Sequence, residues 1–292
     1  MTELHLAFLP SQEAAIKELI QRSSGIALVS GADADARTFA LEAVVRSMRS
    51  HDHMRFSVVA PPGAFRAPPE SIVPMQQGGD RMVSAVRYAM HSDPDALIVD
   101  PIDAEGEPLL ARTGAEAARW GIGVWASIEG SAADKALERL AGFFSEEFDP
   151  WVSDLFSGIF HVTKLPRLCA VCSFPASGKM SGEFSKLFEG RGSWRERGAG
   201  CDSCCDGIRG AEVIGEIVIR PGSGKHAAPG PSYPSPGLSA LAHALVRAAE
   251  GVCEAKAALD AFGPFPANPL QLSELMETLR NNTTSPAGKS SP

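Results

Sequence analysis

Five short apolar runs, each with a helix-period segment beside it, constrain this chain more than any other feature. The first, Ile26-Ala27-Leu28-Val29, has no polar alternation, which suits a strand buried on both faces. A segment from a capping Ser11 to Gln21 precedes it, with Ala15, Ile16, Leu19 and Ile20 on one face. A small-residue turn, Gly31 to Ala36, follows, then a helix with Phe39, Leu41, Val44, Val45 and Met48 on its inner side. The pattern repeats. Strands are expected at 56–59, 96–99, 123–127 and 158–162, with a Pro-rich loop at 61–74 and helices near 80–90, 107–119 and 131–144. Strands alternating with helices predict an α/β domain on a doubly wound parallel sheet.

Beyond Lys164 the character changes to two cysteine pairs around a Gly, Ser and charged insert, then a strand at 212–219. Residues 221–237 read as a Pro, Gly and Ser linker, and Leu238 to Phe262 as one Ala-rich helix, with a last helix at 271–279. The expected organisation is an α/β core over 1–165, a metal-binding module over 166–220, the linker 221–237, a helical segment over 238–280 and a disordered tail over 281–292.

The 44% hydrophobic and 21% charged residues are ordinary for a globular chain, and the formal net charge of -8 repels a phosphate backbone, so nucleic acid is not an expected partner. The start of the chain has no signal-peptide pattern and no apolar run reaches the roughly 20 residues of a membrane span, so a cytoplasmic location without direct membrane insertion is expected. There the six cysteines stay reduced. Cys169-x-x-Cys172 and Cys201-x-x-Cys204 have the spacing at which two thiol pairs share one tetrahedral zinc, which is expected to be structural, with Cys205 an alternative fourth ligand. Four thiolates close the coordination shell and leave no position for a reactive water. Cys253 reads as a core residue.

The turn Gly31-Ala32-Asp33-Ala34-Asp35-Ala36-Arg37-Thr38 lies where a G-x-x-x-x-G-K-[ST] phosphate loop would, although the same segment also reads as a plain strand-to-helix turn. Its second Gly is Ala36 and its Lys is Arg37. Asp33 and Asp35 would meet a polyanion as like charges, costing about 1 to 4 kcal/mol each at effective dielectrics of 80 to 20. ATP with magnesium is therefore not an expected cofactor, and Gly31, Arg37 and Thr38 are the candidate remnants of a nucleotide site in this turn.

The run Ser84-Ala85-Val86-Arg87, then Asp93-Pro94-Asp95 before the strand 96–99, the strand near Trp125, the segment Gly158 to Cys172 and the later cysteine pair resemble, in that order, the type II secretion and type IV pilus assembly ATPase family. The resemblance covers roughly Leu9 to Phe262 without that family's N-terminal domain. It implies a RecA-like P-loop core with a four-cysteine zinc module and C-terminal helices. The family's acidic pair falls on Ala60 and Pro61, its catalytic Glu on Pro101 and its His on Glu129, while Asp100 stands where a magnesium carboxylate would. No residue is expected to be catalytic. A non-catalytic assembly or regulatory component of a secretion or pilus system follows, with a motor ATPase or inner-membrane platform proteins as partners, in a homo- or hetero-oligomer and peripheral to the inner membrane through them. Two alternatives stay open: a weak or partner-completed ATPase using Arg37, Thr38 and Asp100, and a zinc-stapled interaction module unrelated to secretion. Ser177-Gly178-Lys179 and Gly222-Ser223-Gly224-Lys225 read as linker, and His51-Asp52-His53 as a solvated loop.

Overall fold

A computed structural model describes residues 3–22, 24–49, 54–74, 81–103, 108–144, 154–177, 192–220, 240–264, 273, 275–277 and 279–280. The linker 221–237, the tail 281–292, His51-Asp52-His53 and Gly222 to Lys225 lie outside the described residues, as do Gly178 and Lys179. In chain order the elements are β1 (Leu4–His5), α1 (Pro10–Gln21), β2 (Gly25–Gly31), α2 (Ala34–Met48), β3 (Phe56–Val59), α3 (Arg81–Met90), β4 (Ala96–Val99), α4 (Pro108–Arg119), β5 (Gly123–Glu129), α5 (Ala133–Gly142), β6 (Phe156–Leu168), β7 (Phe174–Pro175), β8 (Arg195–Glu196), β9 (Ile208–Ile219), α6 (Ala240–Ala249) and α7 (Ala255–Phe262). The chain divides into two compact units, Glu13–Thr163 with Ile217–Pro236, and Met1–Gln12 with Lys164–Glu216 and Gly237–Pro292.

In the first unit the strands lie in the order β6-β2-β5-β4-β3, and each neighbouring pair is parallel. The α/β class with a parallel sheet is therefore the observed one. β2 and β4 are buried at every residue, as the unbroken apolar runs predict. The core between sheet and helices contains Leu28, Leu97, Val99, Ile102, Val124 and Ile128 with Val86 and Leu110 from α3 and α4. At the start of β2, Gly25 has φ +105, and a Cβ there would come 2.6 Å from the Leu155 carbonyl, so only glycine fits. β6 is 13 residues long, more than twice the apolar run at 158–162, because its polar residues also stay in the strand.

In the second unit β1 pairs in parallel with β9, and β7 with β8 makes a short antiparallel hairpin. The Ala-rich stretch is two helices, not one, and α6 stops at a left-handed Gly251 (φ +74). The Gly251 N–H donates to Ala248 O at 2.9 Å and the Val252 N–H to Arg247 O at 3.0 Å, the exchange that closes a helix at a glycine. The described residues among 273–280 are helical. Ser11 does not cap α1. The helix begins at Pro10, and the Leu9 N–H donates to the Gln12 side chain at 3.0 Å.

Two buried polar clusters in this unit escape a reading based on apolar periodicity. Glu212 is fully buried between Arg167, which donates to Oε2 at 2.7 Å, and Arg247, which donates to Oε1 at 2.8 Å. His243 is also fully buried, and its Nδ1 lies 3.0 Å from the Gly215 N–H and 3.1 Å from Gln12 Nε2. Its Nε2 lies 3.1 Å from the Ala7 carbonyl, so a neutral ring accepts at Nδ1 and donates at Nε2. Burial pulls the His243 pKa down to about 4.

Candidate functional site

Open α/β sheets bind ligands beyond the carboxyl ends of their strands, and those ends collect the candidate residues of the first unit. β2 ends at Gly31, Asp100 follows β4, Ser127 lies in β5, and β6 sets His161 opposite Ser30. Gly31 has a structural reason to be glycine: a Cβ there would come 2.5 Å from the Val162 carbonyl of β6.

A phosphate loop works by presenting free backbone N–H groups of the turn and the helix start. Here only Ala32 and Asp33 separate β2 from α2, so the helix begins at the fourth position of the eight-residue pattern. Asp33 is its N-cap. Its Oδ1 accepts from the Ala36 N–H at 2.9 Å, and its carbonyl accepts from the Arg37 N–H at 3.1 Å. A carboxylate of the chain itself thus sits on one donor, the Ala36 N–H, that an incoming anion would need. Asp35 is exposed, so of the two carboxylates read from sequence as a repulsive pair, one points to solvent and the other acts as a cap.

Arg37 is 7% exposed and turns back on its own turn, with Nη1 donating to Gly31 O at 2.6 Å. Among the described residues its Nε has no hydrogen-bond partner. One residue on, Thr38 Oγ1 donates to Asp100 Oδ2 at 2.7 Å, and Ser127 Oγ donates to Oδ1 of the same carboxylate. Asp100 is 3% exposed. Burial pushes its pKa above the usual carboxylate value, and the Ser127 and Thr38 donors and the charge of Arg37 pull it part of the way back. Gly31, Arg37, Thr38 and Asp100 are therefore brought together, through contacts that each satisfy another member of the group.

Ser30 Oγ lies 2.8 Å from His161 Nδ1, and burial lowers the His161 pKa, favouring the neutral ring. Glu42, one turn beyond Thr38 on α2, is buried with its pKa raised by that burial, and it accepts the Arg66 N–H at 2.7 Å. Of the positions the resemblance singles out, Ala60 is buried and Pro61 exposed. The exposed Glu129 lies 3.8 Å from Arg139 Nη2, and Arg139 Nε donates to Asp103 at 2.8 Å. Ser30, Ser127 and His161 were not singled out from sequence, although each is a polar residue interrupting an apolar strand and could have been noticed on that ground.

The second unit holds a separate site. Cys169 and Cys172 lie on the turn after β6, held by the Cys169 N–H on Gly207 O at 2.8 Å and the Ser173 N–H on Cys169 O at 3.0 Å. Cys201 and Cys204 lie on a second tight turn, where the Cys204 N–H donates to Cys201 O at 3.1 Å. The two turns approach closely: a Cβ at Gly198 would sit 2.2 Å from the Cys172 carbonyl. The sulfurs of Cys169, Cys172, Cys201 and Cys204 all lie within 4.8 Å of one another. Three separations are 3.8 Å (Cys169 to Cys201), 3.6 Å (Cys172 to Cys204) and 3.6 Å (Cys201 to Cys204). Disulfides need about 2.05 Å. A tetrahedron with metal–sulfur bonds of about 2.3 Å has edges of about 3.8 Å, so the cluster fits a metal ion of that kind.

Backbone N–H groups of Cys172 and Val171 hold the Cys169 thiol down to about 7, so a thiolate forms readily there. Cys205 is exposed and outside the cluster, its backbone tied in both directions to Ile208, so Cys204 completes the set. Cys253 is buried in the core beside Leu245 and Ala248, and burial pushes its thiol up to about 12.

Among the described residues no helix is long and apolar enough to cross a membrane. The family model of the Type II/IV secretion system protein matches residues 2–227. Over 230 residues the chain is 24% identical to the type IV pilus assembly ATPase PilB of Thermus thermophilus, covering 76% of this chain and 25% of that protein. The chain thus spans a quarter of that relative's length. Among solved structures it is similar to the pilus retraction motor PilT with bound ADP, with a TM-score of 0.54 and 15% identity over 92% of this chain and 67% of that one. The ATPase DotB of Legionella pneumophila matches with a TM-score of 0.44 and 16% identity over 70% of this chain and 48% of that one.

Proposed function

Because the chain belongs to the Type II/IV secretion system protein family, we propose that it is a non-catalytic member, acting as an assembly or regulatory component beside a motor ATPase or inner-membrane platform proteins. The observation that carries this reading is the closure of the α2 N-terminus by Asp33, which takes the Ala36 N–H at 2.9 Å. Phosphoryl transfer depends on donors and positive charge aimed at the phosphates. In this turn Asp33 takes the Ala36 N–H, Arg37 is directed to Gly31 O, and a neutral His161 adds no cation. These contacts disfavour a nucleoside triphosphate in the turn.

Titration calorimetry of the metal-loaded protein with magnesium ATP tests this reading. No saturable heat at millimolar nucleotide is the expected result, and micromolar binding would contradict it. A second reading, an ATPase completed by a partner, is favoured by one contact: Thr38 and Asp100, the pair that would hold magnesium, remain 2.7 Å apart. Magnesium-dependent hydrolysis that emerges only on mixing with a partner motor would support that second reading.

The four-cysteine cluster would hold zinc, a closed structural ion that ties the turn after β6 to the Cys201–Cys204 turn. Residues 1–165 and 166–220 act on this reading as core and metal module, with 238–280 as an appended helical segment. The protein works at the cytoplasmic face of the inner membrane, held there through its partners and as part of a homo- or hetero-oligomer.

A further inference from the structure

The α3 and α4 helices of the first unit pack against one another, and their outer face carries a group of side chains that the nucleotide position does not use. Tyr88 is 64% exposed and Trp120 59% exposed, the two most exposed aromatic residues among those described. They belong to one patch. His91, one turn after Tyr88, meets the Trp120 ring edge-on at a centroid distance of 6.3 Å. Buried residues on the opposite sides of both helices, among them Val86, Ala89, Leu110 and Ala118, already fill the core, so neither aromatic is needed there. Arg81, Arg87 and Arg119 are exposed on these helices, Arg112 Nε donates to the Phe143 carbonyl at 3.0 Å, and the described residues of the two helices expose one acid, Glu116. This is a cationic face on a chain whose net charge is -8.

Trp, Tyr and Arg are the side chains that dominate protein–protein hot spots, because large rings and a planar guanidinium bury much area at low entropic cost. A positive face selects a negative partner and speeds its encounter. An anionic membrane is the less favoured occupant. The whole chain's negative charge opposes it, and one Trp and one Tyr offer little apolar area to bury in lipid.

We propose that the α3–α4 face is a docking surface for an acidic segment of a partner protein, its apolar side chains set against Tyr88 and Trp120 and its carboxylates against Arg87 and Arg119. This rests on the assembly reading above and names the surface that serves it.

The test places a photo-crosslinking p-benzoylphenylalanine at Tyr88 in the full chain, expressed in the cells that produce it, and sequences the linked peptide. The expected product is a segment of another protein rich in Asp and Glu. Its yield falls roughly tenfold with Trp120→Ala or with Arg87→Glu plus Arg119→Glu, and recovers in Arg87→Lys plus Arg119→Lys. It also falls between about 0.1 and 0.5 M salt. A phospholipid adduct, an adduct to a second copy of this chain, a basic linked peptide or no adduct each overturns the proposal. Retained melting temperatures in the variants exclude misfolding as the cause of a lost adduct. Magnesium ATP titrated into the same preparations separates failure of this surface from failure of the assembly reading: silence with no adduct sinks only the surface, and micromolar binding sinks the reading beneath it.

Discussion

The turn at the start of α2 and the pair of cysteine turns after β6 are both loops that a sequence reader would mark as ligand sites, and they resolve their needs in opposite ways. At α2 the chain's own groups bond one another: Asp33 caps Ala36, Arg37 reaches Gly31, and Thr38 with Ser127 satisfies Asp100, leaving the Arg37 Nε without a partner among the described residues. At the cysteines four sulfurs converge within 4.8 Å. On the proposed reading, a turn that has recruited its own side chains offers fewer donors to an anion, whereas four converging thiols require a cation to offset their charge when ionised. Identical local vocabulary, a turn between regular elements, therefore carries opposite functional meaning.

The contrast breaks most visibly at the metal. Cys172→Ser, or a chelator strong enough to strip zinc, should destabilise the second unit by roughly 5 kcal/mol or more, read as a lost or lowered unfolding transition, with one metal per chain released. An unchanged melting curve after complete chelation would mean the turns hold each other without an ion.

That unit has other internal supports, and they rank next. Glu212→Ala leaves Arg167 and Arg247 facing a buried vacancy, so a loss of about 4 kcal/mol is expected in urea unfolding. A loss below about 1 kcal/mol would show that the arginines reach water instead.

Acid gives a third effect. His243 is held neutral with a pKa of about 4, below its ordinary value of 6.5, so the unfolded chain takes up a proton that the folded one refuses. Its contribution is fully present above about pH 6.5, falls as the pH drops, and is gone near pH 4, a swing of about 3 kcal/mol. His243→Gln should remove that part of the slope between about pH 7 and 4. A variant with the wild-type slope would exclude this ring as its source.

The smallest effect sharpens the other side of the comparison. Asp33→Ala removes a cap and should cost about 1 kcal/mol in thermal unfolding. A neutral or stabilising substitution would show that the carboxylate is not bonded to the α2 N-terminus.

What was legible in the sequence follows from which physical signals are local. An unbroken apolar run placed β4 at 96–99, because burial on both faces writes itself into four consecutive residues, while β3 at 56–59 was legible although Ser57 interrupts it and its first two residues are only half-buried. Cysteine spacing identified the sulfur set, since a knuckle is a local geometry, but only the folded chain separates Cys204 from Cys205. The capping role of Asp33 was not legible. Whether a carboxylate faces a ligand or its own helix depends on where the helix starts, and that is set by tertiary context. The break between α6 and α7 hid behind an Ala-rich composition that favours helix, although Gly251 marks it. Glu212 and His243 hid for the converse reason: each looks like an interruption of an apolar run, and its partners, Arg167 and Ala7, are remote in sequence.

The closure of the α2 N-terminus is tested most directly by following the backbone amide signals of Ala36 and Arg37 in a nitrogen–proton correlation spectrum during titration with magnesium ATP. Both amides should keep their positions up to millimolar nucleotide in the wild-type chain. Saturable movement of either at micromolar nucleotide would contradict the account, because those donors would then be open to a phosphate.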